Sequence, residues 1–397
     1  TCSSPQASAG LKTVTMQDQF GQSATLAEGY RYATVSKVSV GNAHGCALFG
    51  HGGVKCWGSS HILTPGGSTF TRIGTYEVPT LTSGVTKLDS GANGACAIID
   101  GGVKCWGQSQ YFAFGNNQSV VNQPTPTFVS GATTGATQIS LGDNIACAII
   151  SGVAKCWGNL LIYPNPNSST EWASKMGRNP TLVSGMANSP TLLVAGTAQA
   201  CDVESGSVKC IGITPGGNLS PTGDGTNNNR DTAVQASGLT SDVTDLSASS
   251  YYTNNQACAI QSGAVKCWGG NTYGQLGNNS TTSANTIVQV SGLTSGQEQI
   301  TAGESLTCAR EGATVRCWGR NTAGGIGDNT TTDRHVPTLV TGLGTNLTDI
   351  SAGGSNRTGN DPRGFVCAVV ENGSRVQCWG DNAYWQLGIG DNISRSM

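Results

Sequence analysis

The sequence is poor in charge. Only 11% of its 397 residues are Asp, Glu, Lys or Arg, where soluble domains average about 25%. The 21 basic and 23 acidic side chains leave a net charge of −2, and the pI is about 6.1. A nucleic-acid-binding domain carries a basic stripe and a pI above about 9, so a nucleic-acid partner is excluded. No run of about 18 apolar residues occurs, so no transmembrane segment is predicted.

Histidine and aromatic residues are also scarce, at four histidines and 6% aromatics. Disordered chains combine few aromatics with a high net charge. Here the net charge is low, and eight Trp and nine Tyr recur along the chain. We therefore expect a folded chain. Its histidines follow no periodic pattern, which leaves little basis for a His-ligated metal site.

Glycine and cysteine are abundant, with 57 and 15 residues. After Cys2 the cysteines fall into seven pairs that recur about every 53 residues. Each pair brackets one phrase, such as CAIIDGGVKCWG from Cys96, and the fourth copy has Ile211 in place of Trp. Such self-similarity indicates a repeat architecture. The pairs are Cys46 with Cys56, Cys96 with Cys105, Cys147 with Cys156, Cys201 with Cys210, Cys258 with Cys267, Cys308 with Cys317, and Cys367 with Cys378.

Each phrase is predicted to be a β-hairpin. In the second copy the midpoint falls on Asp100 and Gly101, the residue types that a type I′ turn requires. Counting outward, Cys96 and Cys105 form a non-hydrogen-bonded pair, with Cα atoms about 4.5 Å apart, within the reach of a disulfide. Buried free thiols and zinc sites are the alternatives. The spacing favours seven disulfides, which form in an oxidising compartment and predict a secreted or cell-surface protein.

Each unit contains four short β segments separated by Gly, Asn, Ser and Thr turns. ISLG, ITAG and ISAG precede the cysteine phrases, and segments such as PTLVSG lie further upstream. This pattern predicts an all-β, seven-bladed β-propeller with four strands and one hairpin disulfide per blade. Residues 1–23 are predicted to be an N-terminal extension, and residues 24–397 a single propeller. The predicted repeats are about 24–77, 78–126, 127–178, 179–232, 233–285, 286–335 and 336–397.

The order of these motifs resembles the regulator of chromosome condensation repeat family over about residues 24–394. The Gly274-Gln275-Leu276-Gly277 signature is the most specific match. The resemblance implies a seven-bladed propeller. Family functions include nucleotide exchange on a small GTPase, chromatin binding, light sensing and, in secreted members, enzyme inhibition, but no site residue transfers by motif. The cysteine pairs are not typical of the intracellular members.

The sequence also predicts how the ring closes. Residues 24–29 (ATLAEG) align with residues 337–342 (PTLVTG), although no repeat precedes them. The last repeat has no further strand after Gly388. We therefore predict that the N-terminal strand near Leu26 pairs with the blade that holds Cys367 and Cys378.

No catalytic residue, metal site or cofactor is predicted. His44 is interpreted as a structural hydrogen-bonding residue, His51 and His61 as loop residues, and His335 as preceding a strand. The oxygen-rich loops at residues 224–231 and 328–333 suit either calcium or a solvated turn, and their spacing misses the EF-hand pattern. The repeating tryptophans are interpreted as packing groups between blades rather than as a sugar-binding ring: Trp57, Trp106, Trp157, Trp268, Trp318 and Trp379.

Other aromatic residues mark loops that differ between repeats, and such side chains dominate many binding surfaces. They predict a partner surface at Tyr111, Phe112, Phe114, Trp172, Tyr251, Tyr252 and Trp385. Cys2 remains unpaired, which predicts either an intermolecular disulfide or a free thiol. In the first case residues 1–17 would reach a neighbouring subunit. Ten Asn-x-Ser/Thr sequons permit glycosylation.

These observations favour an extracellular binding or structural propeller. The leading hypothesis is an adhesion or surface-assembly subunit of a filament or appendage, with a protein or a surface glycan as its partner. The second hypothesis is a secreted inhibitor or ligand-binding propeller that acts on a partner protein. A glycan-processing enzyme is the third, and the sequence offers no catalytic constellation for it.

Overall fold

The computed structural model describes residues 10–17, 23–32, 34–59, 72–110, 113–116, 120–158, 177–186, 188–197, 199–213, 222–249, 255–356 and 362–397. The first two strands, β1 (Gly10–Gln17) and β2 (Ser23–Tyr32), pair only with each other among these residues. The remaining strands form seven antiparallel sheets in chain order. The predicted all-β seven-bladed propeller is therefore confirmed.

Six of the seven blades contain four described strands, and the seventh contains three. Blade 1 is β3 (Val35–Val40), β4 (His44–Phe49), β5 (Val54–Ser59) and β6 (Arg72–Glu77). Blade 2 is β7 (Val85–Ser90), β8 (Gly94–Ile99), β9 (Gly102–Gln110) and β10 (Val120–Phe128). Blade 3 is β11 (Ala136–Leu141), β12 (Ile145–Ile150), β13 (Val153–Gly158) and β14 (Thr181–Leu182).

The other four blades follow the same order. Blade 4 is β15 (Leu192–Ala195), β16 (Gln199–Glu204), β17 (Ser207–Gly212) and β18 (Arg230–Gln235). Blade 5 is β19 (Val243–Ala248), β20 (Gln256–Gln261), β21 (Ala264–Gly269) and β22 (Ala284–Gln289). Blade 6 is β23 (Gln299–Ala302), β24 (Leu306–Glu311), β25 (Thr314–Gly319) and β26 (Arg334–Leu339). Blade 7 is β27 (Asp349–Asn356), β28 (Pro362–Val370) and β29 (Arg375–Gly380).

The central hairpin of each blade carries its disulfide as predicted. Asp100 and Gly101 have φ angles of 53° and 71°, the two positive values of a type I′ turn. Cys96 then lies opposite Cys105 in the ladder. The hairpin turn thus fixes the register that brings the two sulfur atoms together.

All seven predicted disulfides are present, and the Cα atoms of each pair are 4.0–4.1 Å apart. This uniform spacing holds although the hairpin loops of blades 1 and 7 are longer than the others. The bonds join Cys46 to Cys56, Cys96 to Cys105, Cys147 to Cys156, Cys201 to Cys210, Cys258 to Cys267, Cys308 to Cys317, and Cys367 to Cys378.

The apolar core is divided among the seven junctions between blades. At each junction, the disulfide of one blade packs with the aromatic or apolar residue after the second cysteine of the next blade. Cys96 and Cys105 pack with Trp157, for example, and Cys147 and Cys156 pack with Ile211. At the last junction Cys367 packs with Trp57 and joins blade 7 to blade 1. Each hairpin therefore buries its apolar face against a neighbour, as repeat architectures require.

The inner strands end where neighbouring blades approach most closely. A side chain at Gly41 would collide with the carbonyl of Gly91, and one at Gly353 would collide with the carbonyl of Gly41. The glycine in ISLG, ITAG and ISAG is thus required by the close approach of backbones around the ring.

The predicted closure of the ring is wrong. Strand β2, which contains Leu26, pairs with β1 and not with blade 7. Blade 7 instead carries one bridge between Gly380 and Arg395, which belongs to the C-terminal segment. The alignment of residues 24–29 with a blade strand predicts a strand, but it does not determine which strand edge these residues pair with.

The blades are also offset from the predicted repeats. The boundaries predicted at residues 233, 286 and 336 fall inside β18, β22 and β26, the outer strands of blades 4, 5 and 6. The strand that opens a sequence repeat is thus the outer strand of the preceding blade. Among the described residues, no helix has the length and apolar character needed to cross a membrane.

Candidate functional site

The seven inner strands surround a central cavity of about 350 Å³. The end of the cavity where these strands begin, near Lys37, Asp245 and Asp349, is called the lower end. The opposite end of the ring is called the upper face. There the inner strands finish, and the third strand of each blade ends in Trp-Gly or Ile-Gly. Because side chains alternate along a strand, successive residues of an inner strand face the preceding and the following blade, as Val38 and Ser39 do in blade 1.

A ring of side-chain acceptors joins the blades around this cavity. At six of the seven junctions, a hydroxyl or carboxylate oxygen of one inner strand accepts a hydrogen bond from a backbone N–H of the next strand. The distances are 2.8–3.2 Å. The acceptors are Ser39, Asp89, Ser140, Ser247, Thr301 and Ser351. The junction between blades 4 and 5 has Val194 at this position.

Carboxylates at the lower end reinforce this ring. Asp349 is 9% exposed and accepts hydrogen bonds from the Val38 N–H and the Gln299 Nε2, both at 2.8 Å. Asp245 accepts from the Ile300 N–H at 2.8 Å. Burial raises the pKa of Asp245 to about 6, although these backbone donors and Lys37 oppose the rise. Burial also raises the pKa of Asp349, against the opposing effects of the Val38 N–H, Lys37, Gln299 and Arg310.

The upper end of the cavity holds a second set of acids. Glu304 is 5% exposed, and its Oε2 atom has no hydrogen-bond partner among the described residues. Burial, followed by the nearby charges of Asp143 and Asp381, raises the pKa of Glu304 to about 9, although Arg320 opposes this. Burial likewise raises the pKa of Asp143 to about 6. Sequence analysis missed these acids because only the ring brings them together.

Other buried polar atoms collect on the upper face. Within the described part of the chain they lack hydrogen-bond partners, and they lie in or beside the turns that follow the inner strands. Such groups are uncommon in folded proteins and often mark functional positions. They are His44 Nε2, Thr197 Oγ1, Gln199 Oε1, Asn255 Oδ1, Gln256 Oε1 and Ser305 Oγ.

The three described histidines, His44, His51 and His335, lie in different parts of the molecule. His44 begins β4, and burial lowers its pKa to about 4, so the ring is neutral at physiological pH. His51 is exposed in the hairpin loop of blade 1. His335 lies within β26 rather than before it, and His61 falls outside the described residues. The three described histidines do not come together into a site. No group of three or more His, Cys, Asp or Glu side chains suited to a metal is present within the described ranges.

The upper loops of blades 5, 6 and 7 share one internal design. In blade 5, Asn271 Oδ1 accepts from the Leu276 N–H at 2.9 Å, and its Nδ2 donates to the carbonyls of Ser280 and Thr282. Asn321 and Asn382 make the equivalent bonds in blades 6 and 7. The Gly-Gln-Leu-Gly signature is therefore a loop scaffold built on a buried asparagine.

The repeating tryptophans pack between the blades, as predicted. The Nε1 atoms of Trp57, Trp157, Trp318 and Trp379 donate to loop carbonyls of the preceding blade at 2.8–3.0 Å. Trp57 is 7% exposed and the other three are fully buried. Rings that are enclosed in this way offer no face for stacking a sugar.

The oxygen-rich loops are closed by their own partners. Arg230 Nε donates to Asp224 at 2.8 Å, and Arg334 Nε donates to Asp328 at 2.7 Å. Partial burial tends to raise the pKa of Asp224, but hydrogen bonds from Thr226 and Arg230 hold it below its ordinary value. Since these carboxylates already bind arginine, the loops are closed turns rather than open calcium sites.

The predicted partner surface is only partly described. Phe114 is 3% exposed and packs against blade 3, so its placement on an exposed surface was wrong. Its loop folds inward because the Ala113 carbonyl accepts from Trp157. Trp385 is half-buried in the upper loop of blade 7, with a φ of 60°. Cys2 and the remaining predicted aromatics fall outside the described residues: Tyr111, Phe112, Trp172, Tyr251 and Tyr252.

The fold defines the chain as a seven-bladed β-propeller with one disulfide per blade. Residues 314–356, which span β25 to β27, match the regulator of chromosome condensation (RCC1) repeat. The propeller thus contains an RCC1 repeat at these residues, and the resemblance seen in the sequence is confirmed over this range.

Solved structures share the fold at low sequence identity. Yeast RCC1 (Prp20) bound to Kap60 is 16% identical, with a TM-score of 0.69 over 92% of this chain and 84% of that chain. Human WBSCR16 is 17% identical, with a TM-score of 0.66 over 86% of this chain and 91% of that chain. Prp20p of Saccharomyces cerevisiae is 14% identical, with a TM-score of 0.61 over 80% of each chain. Comparison with curated protein sequences gave no match.

Proposed function

We propose that this chain is an extracellular binding propeller that serves as an adhesion or surface-assembly subunit and binds its partner through the upper face. The observation that carries the proposal is the difference in length between the loops of that face in blades that otherwise repeat one plan. Loops that vary on a rigid scaffold are where binding residues concentrate.

The disulfides support the extracellular part of the proposal. Thirteen of the fourteen paired cysteines are fully buried, so the bonds are part of the core. Each closes a short segment, with a sequence separation of 9–11 residues, and the entropic gain per bond is at most about 2–3 kcal/mol. Disulfides in this number are typical of proteins that fold in an oxidising compartment.

Variation in the upper loops supports a binding role. The segments between third and fourth strands are alike in blades 5 and 6, residues 270–283 and 320–333. In blades 3 and 4 the equivalent segments, residues 159–180 and 213–229, are longer. Propellers with this fold include yeast RCC1 in complex with Kap60 and Prp20p with its binding to Gsp1p and histones, which supports protein binding.

The test is a loop exchange on the upper face. Residues 159–180 of blade 3 are replaced by residues 270–283, which connect the same strands in blade 5. We expect binding of the labelled protein to the surface of the producing cells to fall at least tenfold. Pretreating those cells with protease or glycosidase separates a protein partner from a glycan partner.

A lower-face variant of the same blade provides the control. Ser151→Asp gives blade 3 the Asp-Gly turn of blade 2 and should leave binding unchanged. Equal binding by the loop exchange and the control, with both proteins folded, would remove the upper face as the contact surface.

One observation favours the second hypothesis, a ligand-binding propeller. The cavity of about 350 Å³ has the size of a small-molecule site, and Glu304 places a carboxyl group at its upper end. A small cationic ligand would suit it, because a bound positive charge favours the ionised form of this group. In that case Glu304→Gln would weaken ligand binding, while the loop exchange would not.

A further inference from the structure

The two ends of the cavity differ in how positive charge compensates their carboxylates. At the lower end Lys37 lies in the cavity wall, and its charge acts on Asp245 and Asp349. It acts as well on Asp89 of blade 2. These three carboxylates also accept hydrogen bonds from backbone N–H groups of the following blades. The lower end therefore contains its own cation.

The carboxyl group at the upper end lacks such a partner. Glu304 lines this end and is 5% exposed, and its Oε2 atom has no hydrogen-bond partner among the described residues. Asp143 and Asp381 add negative charge around it, whereas Arg320 adds positive charge. The Arg320 guanidinium, however, stacks on the Tyr273 ring, 4.2 Å from its centroid, and does not donate to Oε2. A buried carboxyl group thus lies among acids without a donor.

Gly354 provides the room in which this carboxyl group lies. Glu304 and Gly354 are equivalent, since each follows the glycine that ends its inner strand, Gly303 or Gly353. A Cβ atom at Gly354 would lie 2.8 Å from the Cβ and 3.1 Å from the Oε2 of Glu304. Asn42, the equivalent residue of blade 1, also lines this end. A carboxyl group and an amide therefore flank a position without a side chain.

The chemistry of this end favours an organic cation over a metal ion. A buried carboxyl group either keeps its proton or binds a positive charge. Calcium and magnesium require about six or more oxygen ligands, and the described residues hold no group of three or more His, Cys, Asp or Glu suited to a metal. A primary ammonium is a compact charge with three donors. It can therefore bind to the single partnerless oxygen of Glu304.

We infer that the upper end of the cavity binds a primary ammonium group, with Glu304 as its counter-ion. The inference rests on the ligand-binding function proposed above and names the chemical group that is bound. This group belongs either to a free small amine or to a lysine side chain of a protein on the upper face. Both sources present the same –NH₃⁺ group to the cavity.

Binding of the ammonium group exchanges one positive charge for another. With its pKa raised to about 9, Glu304 carries a proton at pH 7 in the absence of a ligand. A bound ammonium favours the carboxylate, so the carboxyl proton passes to the buffer. The ammonium keeps all of its protons, because the pKa of an alkylamine is about 10.4. One proton is thus released for each amine bound.

The test is calorimetric titration of the full chain with n-butylammonium chloride, in buffers of different ionisation enthalpy. The wild-type protein should release close to one proton per amine at pH 7. Its affinity should rise by up to about tenfold per pH unit between pH 6 and 8, because binding is linked to this release. Glu304→Gln should bind about tenfold more weakly or worse, since the ammonium loses its counter-ion, and it should release no proton.

Two controls test the charge and the donors separately. Glu77→Gln removes an exposed carboxylate that pairs with Lys55, and it should leave affinity and proton release unchanged. Tetramethylammonium chloride has the same charge without an N–H donor and should bind more weakly than n-butylammonium. Equal binding of n-butylammonium by the wild type and Glu304→Gln, or equal binding of the two cations by the wild type, would overturn the inference.

A competition assay separates the two sources of the ammonium group. If n-butylammonium displaces the labelled protein from the surface of the producing cells, the group belongs to a lysine of the partner. Amine binding without displacement assigns the group to a free small amine. Absence of amine binding, together with surface binding that is lost in the loop exchange, would reject the ammonium site and leave the proposed binding function intact.

Discussion

On the upper face, Glu304 and His44 are both buried, and burial shifts their pKa values in opposite directions. The pKa of Glu304 rises to about 9 and that of His44 falls to about 4, because burial disfavours the charged form of either group. Both groups are therefore neutral near pH 7 in the folded state.

Glu304→Gln should stabilise the protein at neutral and alkaline pH. Between pH 4.5 and about 9 the folded state keeps a proton that the unfolded state releases. The free energy of unfolding therefore falls by up to about 1.4 kcal/mol per pH unit in this window. Below pH 4.5 both states are protonated and the effect vanishes. Urea denaturation at pH 4, 6 and 8 should show a gain for the variant that grows with pH.

The exposed Glu77→Gln serves as the control, since Glu77 lies at the surface of β6 and pairs with Lys55. Exposed ion pairs contribute about 0–1 kcal/mol. A gain for Glu304→Gln that is the same at pH 4 and pH 8 would show that the carboxyl group is not held neutral by the fold.

At the scale of single elements, the inner strands hold the ring together by two different means. Apolar residues such as Val38, Ile139 and Ile350 pack into the junctions. The alternate residues supply the acceptor ring, which binds backbone N–H groups of the inner strand of the next blade. The junction between blades 4 and 5 relies on Leu192 and Val194 instead. This junction also follows the blade whose tryptophan is replaced by Ile211.

Val194→Thr should strengthen this junction. The new hydroxyl lies at the position that Ser247 and Thr301 occupy in their inner strands. It can accept a hydrogen bond from the N–H of Ala248, just as Ser247 accepts from Ala302 and Thr301 accepts from Ala352. Thr and Val have similar shapes, so packing is disturbed little. A net hydrogen bond contributes about 0.5–1.5 kcal/mol, and the midpoint of urea unfolding should rise accordingly.

The converse substitution, Ser247→Val, should lower stability by about 1 kcal/mol, since it leaves the Ala302 N–H without its acceptor. If Val194→Thr instead destabilised the protein, the acceptor ring would not be a general source of stability at the junctions.

For the whole molecule, the junction between blades 7 and 1 differs from the other six because no chain connection crosses it. It is held by Trp57 and Val38 against Cys367 and Leu387, by the Trp57 Nε1 bond to the Gln386 carbonyl at 2.9 Å, and by Asp349. Local opening should therefore begin here.

Trp57→Ala should open the ring at this junction. The loss of a large core side chain costs about 3–5 kcal/mol, and amide hydrogen exchange should rise first in blades 1 and 7. Trp157→Ala removes the equivalent side chain between blades 2 and 3, where the chain still connects the blades. Its exchange should rise locally and leave blades 1 and 7 protected. An identical exchange pattern for the two variants would argue against a weak closing junction.

The residue pattern predicted much of this architecture. Asp100 and Gly101 define their turn, and the turn sets the register that places Cys96 opposite Cys105, all within ten residues. Seven copies of the phrase give seven blades, since each hairpin must bury its apolar face against another. The acceptor ring also had a signal, a polar residue two positions before Gly in ISLG, ITAG and ISAG, but its hydrogen bonds join different blades.

Contacts across the ring were decided by tertiary structure alone. Glu304 and Asp143 are more than 150 residues apart in the sequence, and only closure brings their charges together at one end of a cavity. From the sequence alone Phe114 is predicted to be a surface aromatic, whereas in the structure it lies beside Trp157 of the next blade. The same holds for Leu26, whose strand is specified locally while its partner is not. Turns and register depend on neighbouring residues, whereas burial, pKa shifts and the choice of strand edge depend on which distant segments share the same space.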